Sequence, residues 1–298
     1  MLINYITDFC NTQYNEYTNC YSSPRCKQCN HPTTKCSGDC GDCLYQIHLL
    51  SNKPEARHLY NCYNLTNFYV CKYSFKYTSE VIYALMKCSL LKKASSINVL
   101  SIGCGPCTDL FALDYLRNAK NLSYNKISYI GVDLLKDQWQ MIHTQIEKYM
   151  FPNKVKFCYK DASSLLDTII NSEGSPNLII LQYFFSDFHK HSSSSQVNVF
   201  IDKLVNYINT KCNKTYIIIN DINLCCAKGG GRDYFDVLCK KLRPTNVLQL
   251  HFNNSNRQNH YDYGKEYCDN KIFFDIEMFE PYDPFDSCAS AQMLMYKE

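Results

Sequence analysis

The chain has no long apolar run: stretches such as residues 177–182 fall far short of the ~20 residues that cross a bilayer. The opening MLINYITDFCNTQYNEY carries neither a basic leader nor an apolar stretch, so a secretory signal is not expected and a cytosolic protein is. Charge of one sign is also missing. The 31 Lys and Arg against 28 Asp and Glu leave a formal net charge of +3, too little for the basic stripe of a typical nucleic-acid binder. Short basic stretches at 72–76 and 87–93 fit a solvated face. A Gly/Ser linker and internal repeats are absent as well, so the parts of the chain are expected to pack together.

Cysteine, in contrast, is abundant. Nineteen are present, and without an export signal a disulfide framework is disfavoured, because a reducing compartment keeps thiols free. Seven crowd the start, at Cys10, Cys20, Cys26, Cys29, Cys36, Cys40 and Cys43. Within CKQCNHPTTKCSGDCGDC, Cys26-x2-Cys29 and Cys40-x2-Cys43 form two knuckles, each able to present two thiolates to one tetrahedral ion. Clustering and spacing predict zinc. Cys10, Cys20, His31 and Cys36 remain as further ligands, so one ion with spare thiols and two ions are both open.

Three segments follow from patterning. Residues 1–52 show no sustained period and read as a loop-rich, Cys-rich zinc-binding module. Residues 53–94 read as a helical connector or cofactor lid, with Val81, Ile82, Leu85 and Met86 at amphipathic spacing. From 95 to 298, short apolar strands (INVLSIGC, ISYIGVD, VKFCYKD, NLIILQYFF, TYIIIND) alternate with helices near 108–119, 138–149, 163–171 and 196–210. That alternation predicts an α/β fold: a doubly wound, mostly parallel sheet with helices on both faces. VLQLHF, KIFFDIEMF and AQMLMY are expected as late, partly antiparallel strands.

In such a sheet the ligand lies at the carboxyl ends of the strands, where strand order reverses. The first strand runs into Gly103-Cys104-Gly105-Pro106-Cys107-Thr108-Asp109, whose glycines allow a tight turn against a ligand. The second ends in Asp133, next to Leu134, a carboxylate suited to ribose hydroxyls; the third ends in Asp161 and Ala162, suited to an adenine edge. Here the chain resembles the class I S-adenosylmethionine-dependent methyltransferases over about residues 95–296. VLSIGCGPCTD resembles their first motif, YIGVD the second, KDASSL the third and NLIILQYFFSDF the fourth.

The resemblance implies a seven-stranded type of sheet and S-adenosylmethionine as cofactor. The implied cofactor-binding residues are Ser101, Gly103, Cys104, Gly105, Asp109, Asp133, Leu134, Asp161, Ala162 and Gln182. Ser101 and Cys107 depart from the family, which often has a carboxylate and a glycine there, and Asp109 is the expected substitute carboxylate toward the methionine amino group. The fourth motif lacks the Asn/Asp-Pro-Pro-aromatic sequence of enzymes that methylate exocyclic base amines. Tyr183 and Phe184 are expected at an acceptor pocket or in the core. Methyl transfer to a good nucleophile needs alignment more than a strong base; Asp187, His189 and Asp221 are the candidates for deprotonating an acceptor. Gly229, Gly230, Gly231 and Arg232 read as a mobile substrate loop or a plain connection, and Tyr73, Phe75, Lys76 and Tyr77 as a segment over the cofactor.

A zinc segment ahead of such a domain resembles the guanine-N1 ribosomal RNA methyltransferases, which makes RNA an expected acceptor. A protein or small-molecule acceptor, and a non-catalytic binding module, are the alternatives. Cys36-x3-Cys40-x2-Cys43 also matches the three-cysteine spacing of radical S-adenosylmethionine enzymes. Asp42 stands where those usually carry an aromatic residue, and the chain already has a separate cofactor sheet downstream.

Overall fold

The computed structural model describes residues 1–17, 39–49, 62–88, 94–119, 124, 126–169, 175–253, 263–276 and 281–298. Five apolar runs form parallel strands: β1 (Ser96–Ile102), β2 (Lys126–Asp133), β3 (Lys154–Tyr159), β4 (Leu178–Gln182) and β5 (Thr215–Ile222). Ile179, Ile180, Ile217 and Ile218 are fully buried, as strands covered on both faces require. The tail adds β6 (Asn246–His251), the two-residue β7 (Lys265–Glu266) and β8 (Ser290–Lys297). Sheet order is β3-β2-β1-β4-β5-β8-β6-β7, with β8 inserted antiparallel between β5 and β6. The order reverses between β1 and β4, and Ile102 pairs with both Val132 and Leu181, so the ends of β1, β2 and β4 lie level.

Nine α-helices cover the sheet among the described residues. On one face lie α1 (Leu2–Tyr17), α3 (Tyr63–Lys87), α4 (Thr108–Ala119) and α5 (Lys136–Met150), with α2 (Cys40–Leu49) docked on α3. On the other lie α6 (Ala162–Ile169), α7 (Phe184–His191), α8 (Ser194–Lys211) and α9 (Asp233–Leu242). The doubly wound α/β architecture expected from the alternation of strands and helices is the one observed. Ser193 starts α8 with a capping box, its hydroxyl meeting Gln196 N at 3.3 Å while Gln196 Oε1 accepts from Ser193 N.

Several segments differ from expectation. Residues 2–17 are helical, not loop: Leu2, Ile3, Ile6, Cys10 and Tyr14 form one apolar stripe, all buried against α3, α4 and α5. Cys10 is therefore a core side chain beside Cys71, and burial pushes its thiol well up. Helix α3 is buried nearly all round rather than amphipathic, because α1, α2, α4 and residues 271–276 and 281–289 enclose it. KIFFDIEMF forms no strand in its described part. Lys271 makes an isolated bridge to Ser287, and Phe273 packs on Tyr83 while Phe274 packs on Tyr115. The fourth strand stops at Gln182; Tyr183 N bonds Asn220 O at 2.6 Å, Tyr183 turns left-handed, and α7 begins at Phe184. Cys20, Cys26, Cys29, His31 and Cys36 lie outside the described residues.

Candidate functional site

The glycine turn after β1 is pinned to the sheet by Gly103 N and Cys104 N, both donating to Val132 O at 2.8 and 3.0 Å. Gly103 has φ +68°, and a Cβ there would lie 2.8 Å from the Phe184 ring. Gly105, at φ +47°, looks outward: a Cβ would meet only Trp139, at 3.8 Å. The Gly105 N–H donates to Asp133 Oδ2 at 2.9 Å, and Leu135 N donates to Oδ1 at 2.9 Å. Both carboxylate oxygens keep lone pairs for a ligand. Burial raises the Asp133 carboxyl, these two N–H bonds oppose that, and the Asp187 charge on α7 adds to the rise. Leu134, 68% exposed, and Leu135 stand beside it. The result is a cleft at the strand-order reversal, with a bare backbone cradle on one side and a carboxylate on the other.

Helix α3 walls this cleft. The Gln182 amide ties the ends together, its Oε1 accepting from Thr108 Oγ1 at 2.6 Å and its Nε2 donating to Tyr77 O at 2.8 Å. Tyr69, Tyr73 and Tyr77 stand one helical turn apart, with Tyr69 meeting Trp139 at 5.9 Å and Tyr77 meeting Tyr183 at 4.2 Å between ring centroids. The Tyr183 phenol donates to Glu80 Oε2 at 2.7 Å. Glu80 itself is fully buried and also accepts from Asn220 Nδ2 and Ala289 N, both at 3.0 Å. A non-glycine residue held at φ +53° by such a network is the kind of strained position found at ligand sites. Lys76 lies 4.0 Å from Glu80 and over the Phe285 ring, while Phe75 packs on Phe274 in the core.

The other predicted residues divide between the surroundings of the turn and sites away from it. Asp109 is 2% exposed; its Oδ1 accepts from Tyr129 Oη and from Leu110 N, and burial raises its carboxyl while the nearby Ser101 hydroxyl opposes that. Asp161 is exposed and uses Oδ1 to cap α6 through Ser164 N and Oγ, with Ala162 opening that helix half-buried. Asp187 is exposed and 3.6 Å from His191, and His189 Nδ1 meets Tyr234 Oη at 2.9 Å. Asp221 is fully buried, with its oxygens taken by Ser186 N and Ile222 N; among the three acid–base candidates, Asp187 is the one whose charge acts on Asp133. Phe184 packs among Phe185, Phe188 and Phe200. In the glycine run at 229–231, Gly230 and Gly231 are close-packed, whereas a Cβ on Gly229, at φ +80°, would meet nothing within 4 Å. A Cβ on Gly230 would lie 2.0 Å from Leu224 O and one on Gly231 2.4 Å from Ser186 N, while Arg232 donates to Asn223 Oδ1 at 2.7 Å.

Under the glycine turn sits a group that sequence reasoning missed. Cys104 and Cys107 meet His143 of α5, and the three ligand atoms all lie within 4.8 Å of one another, all buried. His143 stacks on Phe157 at 3.8 Å, directs Nε2 to Gly105 O at 2.8 Å and Nδ1 to Tyr159 Oη at 2.9 Å. Burial works against ionisation of Cys107, but Cys104 and His143 outweigh it and lower the thiol, while burial raises Cys104. The Cys104-x2-Cys107 spacing repeats that of the N-terminal knuckles, and this was the available signal; His143 carries none. Cys40 and Cys43 stand half-buried at the start of α2, whose first turn is capped by Asp39 Oδ1 accepting from Asp42 N.

The sequence matches no protein-family model, and no curated protein matches it. Solved structures do match in backbone. A putative class I S-adenosylmethionine-dependent methyltransferase from Listeria monocytogenes is 12% identical, covering 74% of this chain and 59% of its own, with a TM-score of 0.42. The CurJ carbon methyltransferase is 11% identical over 74% of this chain and 53% of its own, TM-score 0.44. The plantazolicin methyltransferase BpumL, in complex with SAH, is 12% identical over 97% and 100%, TM-score 0.45. The chain spans between about half and three fifths of the length of the first two. At these values the likeness concerns the arrangement of the chain alone.

Proposed function

We propose that the chain is an S-adenosylmethionine-dependent methyltransferase whose cofactor occupies the cleft at the ends of β1, β2 and β4. The observation that carries this reading is the junction of Gly105 and Asp133: an outward-facing bare turn joined by a 2.9 Å hydrogen bond to a strand-end carboxylate. These residues fit the cofactor. The turn at Gly103–Gly105 would hold the methionine portion and Asp133 the ribose hydroxyls, with the exposed Leu134 against the adenine and Asp161–Ala162 at its edge. Gln182 would brace the cleft floor, while Asp109 and Ser101 support the turn from beneath. A GxGPC turn without the full GxGxxG pattern favours this ligand over a dinucleotide. S-adenosylmethionine supplies an electrophilic methyl group when bound. The chain supplies alignment, water exclusion by the tyrosine wall of α3, and a phenol at Tyr183 whose proton is held toward Glu80.

RNA is the proposed acceptor, and zinc the proposed ion of the Cys26, Cys29, Cys40 and Cys43 knuckles. The support is the pairing of two CxxC knuckles with a catalytic sheet and a row of tyrosines able to stack a base. Cys40 and Cys43, one helical turn apart at the capped end of α2, suit one knuckle. A small-molecule acceptor is the second reading, favoured by the closeness of that same wall, where Tyr73 stacks on Tyr77 at 5.1 Å and on Phe285 at 5.3 Å. The test is calorimetry with S-adenosylhomocysteine, followed by transfer of labelled methyl to cell extract treated separately with nuclease or protease. Asp133→Ala is expected to weaken binding at least about tenfold, roughly 1.4 kcal/mol. A native chain that fails to bind the cofactor product would overturn the reading; label surviving nuclease but not protease would move the acceptor to protein.

A further inference from the structure

The geometry points to a second metal site: we propose that Cys104, Cys107 and His143 bind one thiophilic divalent ion, zinc by preference, beneath the glycine turn. It is distinct from the N-terminal knuckles and stands whether or not the cleft binds S-adenosylmethionine. Among the described residues these three form the one such group, every ligand atom within 4.8 Å of the others. Tetrahedral zinc with sulfur at about 2.3 Å and nitrogen at about 2.0 Å separates its ligand atoms by roughly 3.5–3.8 Å. Closing the cluster onto an ion therefore takes about an ångström of movement or less.

The surroundings are those of a built site. Cys107 is 0%, His143 1% and Cys104 6% exposed, so an ion here would be enclosed, as in structural sites. Cys107 Sγ and His143 Nε2 converge on the same oxygen, Gly105 O, at 3.7 and 2.8 Å. That carbonyl is the available fourth donor. The far nitrogen of the ring, Nδ1, lies 2.9 Å from Tyr159 Oη. At 2.8 Å from a carbonyl, Nε2 carries the ring proton and Nδ1 accepts from Tyr159 Oη. On loading, the ring proton moves to Nδ1 and is donated to Tyr159 Oη, so that Nε2 turns its lone pair to the ion, the arrangement usual for a ligating histidine. The backbone also reserves the space. Cys107 sits at φ +66°, and a Cβ at Gly131 would lie 2.9 Å from Cys104 Sγ.

Charge balance favours an ion over bare thiolates. Loading releases the two thiol protons, moves none off the imidazole overall, and leaves two thiolates, a neutral ring and a divalent cation with no net charge. A neutral cluster can be buried at far lower cost than an unpaired thiolate. Since Cys104 and Gly105 belong to the turn over the cleft, an ion would fix that turn by the side chains beneath it.

The test is metal analysis of the full chain with Cys26, Cys29, Cys40 and Cys43 all replaced by Ser, purified without oxygen or chelator. One zinc equivalent is expected to remain, and cobalt substitution should give thiolate-to-metal absorption. Adding His143→Gln should take both to zero. Tyr159→Phe, which leaves all three ligands in place, should weaken zinc affinity about 10- to 100-fold, and it keeps the test decisive if His143→Gln does not fold. A quadruple variant that folds without metal, with Cys104 and Cys107 free to a thiol reagent or joined to each other, overturns the site. So does a zinc equivalent that survives His143→Gln with unchanged cobalt absorption, or zinc affinity unmoved by Tyr159→Phe.

Discussion

Asp221, the next-to-last residue of β5, has no exposure, its two oxygens accepting from Ser186 N at 2.9 Å and Ile222 N at 2.7 Å. Burial outweighs these bonds and pushes its carboxyl up to about 6, from an ordinary 3.8. A carboxyl raised in the fold stabilises most when protonated, so its contribution is fully present below about pH 4 and is lost as pH rises through 6. The loss is on the order of 3 kcal/mol. The difference in unfolding free energy between native chain and Asp221→Asn should therefore fall by roughly that amount between about pH 4 and pH 7, read from urea midpoints. A flat difference would mean that Asp221 ionises in the fold as readily as in the unfolded chain. A comparable constraint acts at Gly131. Alanine there would press 2.8 Å from Phe157 and 2.9 Å from Cys104 Sγ. Gly131→Ala should cost about 1–3 kcal/mol by overpacking, measurable in the same unfolding experiment.

At the scale of the element, α3 joins the parts that sequence patterning kept separate. Its Glu80 collects the Tyr183 phenol, the Asn220 amide and the Ala289 N–H, while its own carbonyl accepts from Gln292 Nε2 at 2.7 Å. One side chain thus links α3 to the ends of β4 and β5 and to the approach to β8. Glu80→Ala leaves three donors without their acceptor in a dry interior and should cost about 3–5 kcal/mol. Glu80→Gln keeps the volume and one oxygen but turns an amide toward a donor, and should cost about 1–3 kcal/mol. Equal losses for the two would sink the network argument and leave only cavity formation. This helix was legible as a helix, from Val81, Ile82, Leu85 and Met86, but not as a buried one. Its polar residues, among them Asn67, Ser74 and Thr78, gave the pattern of a solvated face, and only packing from residues distant in sequence hides them. The strands and strand-end residues of 96–222 were readable because continuous Ile and Leu runs and short glycine turns are local signals. His143, 38 positions from the Gly105 carbonyl it meets, has no local signal, since its role is set by how α5 crosses back over the turn.

For the whole molecule, the consequence is that the sheet is complete from residue 96 onward but the core packed on one of its faces is not. Helix α1 lays Leu2, Ile3, Ile6, Cys10 and Tyr14 into the core shared with α3, α4 and α5, and Leu2 N donates to Asp114 Oδ2 at 2.8 Å. Burying a Leu or Ile side chain contributes about 1.5–3 kcal/mol, so the stripe rivals the roughly 5–15 kcal/mol net stability of a domain. Asp114 would also lose the backbone donor that its buried carboxylate shares with Arg117. Deleting residues 1–17 is therefore expected to abolish cooperative folding of the remaining chain. Replacing the exposed Asn4 and Asp8 of the same helix should leave the midpoint within about 0.5 kcal/mol. Thermal unfolding followed by near-ultraviolet circular dichroism separates the outcomes. A truncated chain that unfolds cooperatively near the native midpoint would make α1 an appendage and restore a boundary near residue 52. Loss of cooperativity, with the surface variants unchanged, would place the first helix inside the same folding unit as the sheet.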